Sequence, residues 1–152
     1  MNADVILCNH AETHENQMFI VGGGIKFCYV QPTPPHVISV SLGIVISVPW
    51  QMTNQPHELS AALLDEDGNG VVPFVPEGFL DEVPPVEIKV PFNVGRPPVL
   101  PIGDEQNICL SANFVNLPLA QPGLYTFSVS LDGDEARRLP FRVMPIPPGM
   151  SV

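Results

Sequence analysis

Apolar residues recur at every second position along most of the chain. Between residues 37 and 48, Ile38, Val40, Leu42, Ile44, Ile46 and Val48 alternate with Val37, Ser39, Ser41, Gly43, Val45 and Ser47. Side chains alternate across an extended strand, so the pattern predicts one core face and one small or half-exposed face. The same period appears in Val86-Ile88-Val90-Phe92, Ile108-Leu110-Ala112-Phe114, Tyr125-Phe127-Val129-Leu131 and Leu139-Phe141-Val143. Expected strands are 3–9, 17–30 (broken at the glycines), 36–48, 57–65, 70–75, 86–92, 107–116, 123–132 and 137–144. No segment of ten or more residues carries a helical spacing.

Nineteen prolines forbid long helices and mark strand ends or edges. They cluster at 32–35, 72–85, 91–101 and 145–148, as connections and a tail rather than domain linkers. Many short strands between turn signals predict an all-β chain: a single antiparallel immunoglobulin-like β-sandwich over 1–152, with 144–152 as a Pro-rich tail. "LDGDEARRLPFRV" reads as a C-terminal hairpin turning at Asp132-Gly133. In "LAQPGLYTFSV", Tyr125 takes the position of a tyrosine corner, with Phe127 where antibody domains carry a cysteine. A Tyr there buries its ring while its hydroxyl satisfies nearby backbone.

Composition narrows the function. The 152 residues are 45% apolar but only 14% charged, so Ser, Thr, Asn, Gln and Pro must cover the surface, or a partner must. Sixteen carboxylates against six Lys and Arg give a net charge of −10. Such a chain repels phosphate backbones and anionic membranes, which argues against nucleic acid and membrane as partners. The start, "MNADVILCNHAETHE", has no basic region of a signal peptide. The longest apolar run, "VISVSLGIVISV", is twelve residues, too short to span a bilayer. Three cysteines, an odd number, argue against a disulfide framework and for a cytoplasmic protein with reduced thiols.

Four stretches could carry chemistry. "DEDGNG" places Asp65, Asp67 and Asn69 at alternate positions and Gly70 at the sixth, like half of a calcium loop. The closing twelfth position holds Pro76 rather than Glu, with Glu77 one residue late, and the flanks look extended; a hairpin tip is the expectation. "CNHAETHENQ" offers Cys8, His10 and His14 as metal ligands, with Cys28, His36 or His57 needed to complete a zinc site, but no CxxC or HExxH spacing occurs. A turn centred near His14 and Glu15 would set Cys8 opposite Val21, which argues against a Cys8–Cys28 disulfide. "VGGGIKF" continues as a strand rather than a helix, so its glycines read as a bend and not a phosphate cradle. Asp81-Glu82 sits in a Pro-rich loop, where solvated charge is expected. No nucleophile motif is present, and no cofactor is expected. Arg137, Arg138 and Arg142 form the basic group of a very acidic chain; Arg138, Pro140 and Arg142 share one strand face and read as a solvated edge or a docking patch.

"FIVGGGIKF", "HELSAALLDEDGNGV" and "PGLYTFSVSLDGDEARRLPFRV", in this order, resemble a family of small bacterial, largely actinobacterial, β-sandwich proteins of unknown function, over most of residues 3–144. The resemblance implies the sandwich and no catalytic residue. The histidines of the first strand-turn and the "VPEGFLDEVPP" loop depart from it. The expected function is therefore a non-enzymatic interaction module or accessory subunit, binding another protein or further copies of itself. The alternatives are a structural component of a larger assembly, such as a shell or virion accessory protein, and a metal protein or enzyme built on Cys8, His10 and His14.

Overall fold

The computed structural model describes residues 1–78 and 82–150. Nine strands follow one another: β1 (Asn2–His14), β2 (Gln17–Gly23), β3 (Phe27–Val30), β4 (His36–Val48), β5 (His57–Leu64), β6 (Glu87–Phe92), β7 (Gln106–Leu119), β8 (Gly123–Leu131) and β9 (Asp134–Pro145), with a 3-10 turn at Trp50–Met52. They form two packed sheets, β2-β1-β4-β7 and β3-β9-β8-β5-β6. The first is antiparallel throughout. The second is mixed, because β3 runs parallel to β9. The antiparallel expectation fails at this edge. After the β1–β2 hairpin the chain crosses between sheets at Gly22–Lys26 and meets the last strand running the same way.

The core is the period-two set. Ile38, Val40, Leu42, Ile44, Ile46 and Val48 are all buried, facing Leu59, Leu63, Phe127, Val129, Phe141 and Val143. Phe127 and Phe141 stack with centroids 5.7 Å apart. The Tyr125 hydroxyl donates to the Gln121 carbonyl at 2.5 Å, the bond expected of a tyrosine-corner residue.

The opposite face of β4 departs from expectation, since Ser41 is 2% exposed and Gly43 is buried as well. The cause is the β1–β2 hairpin, which folds over the outside of its own sheet. β1 pairs with β4 only as far as Cys8–Ser41. Beyond that point the Ala11 N–H and C=O bond the Asn113 side chain at 3.3 and 3.0 Å. At the tip, Asn16 donates to the Asn107 carbonyl (2.8 Å) and accepts from the Cys109 N–H (2.9 Å). One side-chain amide thus occupies a donor and an acceptor of edge strand β7. Gly43 makes the fold-over possible: a Cβ there would stand 2.9 Å from Ile20 Cδ1 and 3.2 Å from Met18 Sδ.

The hairpin turns at Glu15-Asn16, with φ of 50° and 56°, so Cys8 lies opposite Gly23 rather than Val21. The expected Asp132-Gly133 turn is present, with φ of 50° and 86°. Residues 70–75 do not form the expected strand. Gly70 bridges Leu64 and the Val71 N–H bonds Leu63, but Pro73 and Pro76 offer no donors to continue the ladder. β7 runs past the expected end at 116, through an irregularity where Asn116 takes a φ of 53° and its N–H bonds Ser39 Oγ.

Candidate functional site

The metal candidates of the first strand do not converge. Cys8 is fully buried, with Sγ 3.4 Å from the carbonyl oxygens of His10 and Ser41. Burial pushes its thiol pKa up, outweighing the backbone hydrogen bonds, so it stays protonated and is a poor ligand. His10 is exposed, its Nε2 3.0 Å from Glu12 Oε1, and His14 is exposed at the strand end. His36 is buried, its Nδ1 2.8 Å from the Gln31 carbonyl oxygen. Among the described residues, no group of three His, Cys, Asp or Glu side chains is placed to hold a metal.

The acidic loop is a tight turn built on its own carboxylate. Asp65 Oδ1 accepts from the Asp67 and Asn69 backbone N–H groups at 3.0 and 2.9 Å. The Asp65 N–H donates to the Asn69 carbonyl, and the Gly68 N–H to that of Asp65. Gly68 sits at φ +82°, where a Cβ is costly. Asp65 therefore caps the turn, as Asx residues do. Of the Asp81-Glu82 pair, Asp81 lies outside the described residues. The triple glycine is a bend: Gly22 and Gly24 take positive φ, and the Gly24 and Ile25 N–H groups donate to the Leu7 carbonyl.

The basic residues do gather. Lys26, Arg137, Arg138 and Arg142 account for four of the chain's six cations and lie along one edge. A groove of about 260 Å³ runs between Val5–Leu7 of β1 and Arg137–Pro140 of β9, closed by Gly24–Lys26. A second, of about 220 Å³, shares Lys26 and Pro140 and adds Phe27, Leu124, Phe141 and Arg142. Apolar side chains stand open beside them: Phe27 is 60% exposed, Tyr29 47% and Ile6 45%. Arg138 is committed to Glu135 at 2.8 Å, whose other oxygen accepts from Ser128 Oγ. Arg137 and Arg142 make no ion pair among the described residues. β3 pairs with β9 only from Arg142 onward, so no strand among the described residues pairs with 134–141 on that side. Pro140, which has no N–H, and the flanking arginines discourage strand addition there.

Sequence reasoning missed a buried cation at the far end of the sandwich. His57 is 6% exposed; its Nδ1 lies 2.7 Å from Asp132 Oδ2 and its Nε2 2.7 Å from the Met52 carbonyl oxygen. Both neighbours are acceptors, so both ring nitrogens must donate and the ring is an imidazolium. Burial pulls the His57 pKa down, but the Met52 carbonyl and the Asp132 carboxylate outweigh it, and the net shift is upward. Asp132 is held below the usual carboxylate range, first by the Glu58 N–H at 2.9 Å and also by His57, against the opposing effect of burial. With both nitrogens engaged, this pair is a structural clamp and not a general base. Arg96 is likewise structural, 4.3 Å over the Trp50 ring and bonded to the Trp50 carbonyl and Thr53.

The three segments that carry the sequence resemblance lie within residues 3–144, the span matched by the model of a family of unknown function, DUF6941. The chain belongs to that family. No curated protein matches it. DUF6941 membership brings no assigned activity, so function has to be argued from this chain's own surface.

Proposed function

We propose that this DUF6941 domain is a non-enzymatic protein-interaction module or accessory subunit of immunoglobulin-like type, acting in the cytoplasm. The immunoglobulin-like reading is supported by strand order: β9-β8-β5-β6 and β1-β4-β7 have the neighbour relations of strands G-F-C-C′ and A-B-E in such sandwiches. The Tyr125–Gln121 bond supports it too. Three free cysteines support a reducing compartment.

The functional reading rests on one observation. On a chain of charge −10, four of six cations collect at the β3–β9 edge around the open aromatics Phe27 and Tyr29. Arginine and aromatic side chains are the groups that dominate protein interfaces. Burying the rest of an aromatic this exposed contributes about 1–2 kcal/mol of binding. Cations on an acidic protein steer an oppositely charged surface to that edge rather than elsewhere.

The test is affinity capture with the wild type and with a Phe27→Ser/Arg142→Glu variant, both positions being exposed. The variant should keep the wild-type melting temperature and lose the proteins that the wild type retains. Identical capture by both would place the interaction elsewhere and contradict the reading.

A further inference from the structure

The two sheets differ on their outsides. The β1–β2 hairpin roofs β4 and pins its tip on β7. The outer face of β3-β9-β8-β5-β6 is open, and its middle is small and flat: Ser60, Ala62, Thr126 and Ser128 are all partly exposed. Charge divides across it. Lys26 and Arg142 mark the β3–β9 side, where Arg138 is already neutralised by Glu135. Glu58 and Glu87 mark the β5–β6 side, with Lys89 between them, and Glu66-Asp67 extend the acidic side beyond the end of β5. β9 and β6 are three strand spacings apart in the sheet order, about 14 Å.

We propose that this face packs against the same face of a second copy of this chain, about a two-fold axis that lies between the two faces, parallel to the sheets, and exchanges Arg142 with Glu87. The inference rests on the interaction-module reading and names the partner. Such an axis exchanges the two sides, so the basic side of each copy lies on the acidic side of the other, the self-complementarity that an isologous interface requires. Leu64 and Leu124, both partly exposed, lie on the same face at the end near Arg142 and supply apolar contact there. The small middle lets two sheets approach to the usual distance of about 10 Å. The area suffices: nine residues of β8 and five strands span roughly 30 by 24 Å. That is on the order of 700 Å², against about 800 Å² per partner in a standard interface.

Sedimentation velocity on the purified chain tests this, with Arg142→Glu, Glu87→Arg and the double variant. The wild type should sediment as a dimer that dissociates in about 1 M sodium chloride, where the screening length is ~3 Å. Each single reversal should weaken self-association about tenfold or more. The double variant, and an equimolar mixture of the two singles, should recover it, since each mixture restores opposite charges across the two-fold. A wild type that stays monomeric at its highest soluble concentration overturns the pairing, as does a dimer indifferent to both reversals. If the chain is monomeric yet capture still depends on Phe27 and Arg142, only the self-pairing falls. If capture is also indifferent, the module reading falls with it.

Discussion

Removing the His57 cation should make the stability of this domain depend on pH in a specific way. His57 is closed on both sides, by Asp132 at 2.7 Å and by the Met52 carbonyl at 2.7 Å, and its ring packs 5.4 Å from Phe92. His57→Phe keeps the packing and deletes two charge-assisted hydrogen bonds. Each is worth about 1.5–3 kcal/mol where well buried. The Asp132 side chain is 39% exposed, so its share belongs at or below the low end of that range. A total loss of about 2–4 kcal/mol near pH 6 follows. The folded pKa of His57 lies above its ordinary value of 6.5. Its contribution is therefore complete below about pH 6.5 and fades as pH rises through the folded pKa. Asp132 behaves oppositely. Its folded pKa is lowered from 3.8, so its contribution is present above that value and fades as pH falls through the folded pKa. The clamp is strongest between about pH 4 and 6.5. Urea denaturation of wild type and His57→Phe from pH 5 to 9 reads this directly, because the other three histidines are common to both proteins. The difference in stability should shrink at alkaline pH. A constant difference across that range would refute the assignment of an imidazolium.

Ile44→Ala, at a position 0% exposed, should cost about 2–5 kcal/mol in chemical denaturation, from lost burial and a residual cavity. Ser41→Ala should cost about 1–3 kcal/mol rather than nothing, because its hydroxyl bonds Asn113 and the Asn9 carbonyl under the folded-over hairpin; a neutral result would mean the hairpin does not cover β4. Gly68→Ala should cost about 1–2 kcal/mol, whereas Asp65→Asn, which keeps an oxygen at the cap, should be nearly silent and calcium should not move the melting temperature. A calcium-dependent shift lost in Asp65→Asn/Asp67→Asn would show instead that the loop binds the ion. Thiol titration of the denatured, unreduced protein should find three free cysteines, and fewer would contradict the unpaired Cys8, Cys28 and Cys109.

What the sequence made legible was the local period. The alternation in 37–48 identified β4 and its core face, Asp132-Gly133 marked the turn of the last hairpin, and Tyr125 buries its ring while its hydroxyl bonds nearby backbone, as expected. Its failures share a cause: period two says which side chains share a face, but not what lies over that face. Ser41 and Gly43 read as the open side, and only the fold-over of β1–β2, permitted by the missing Cβ of Gly43, buries them. The parallel β3 depends on a sheet crossing that no alternation encodes. Of the candidate site, the arginines were visible as a group, but Lys26, Phe27 and Leu124 join them only through the pairing of β3 with β9 and of β9 with β8. His57 and Asp132 are 75 residues apart, one opening a strand and one opening a turn, and no spacing rule connects them.

The β3–β9 edge is proposed as the part of this molecule that touches another protein. Photo-crosslinking measures that directly, with a reactive residue placed at Phe27 and, as a control, at Val99, which is 88% exposed in a Pro-rich loop far along the sequence from the edge. Crosslinks to protein should form from position 27 and be suppressed by Arg142→Glu, with none above background from position 99. Equal crosslinking from both positions, or none from position 27, would contradict a role for this edge in binding.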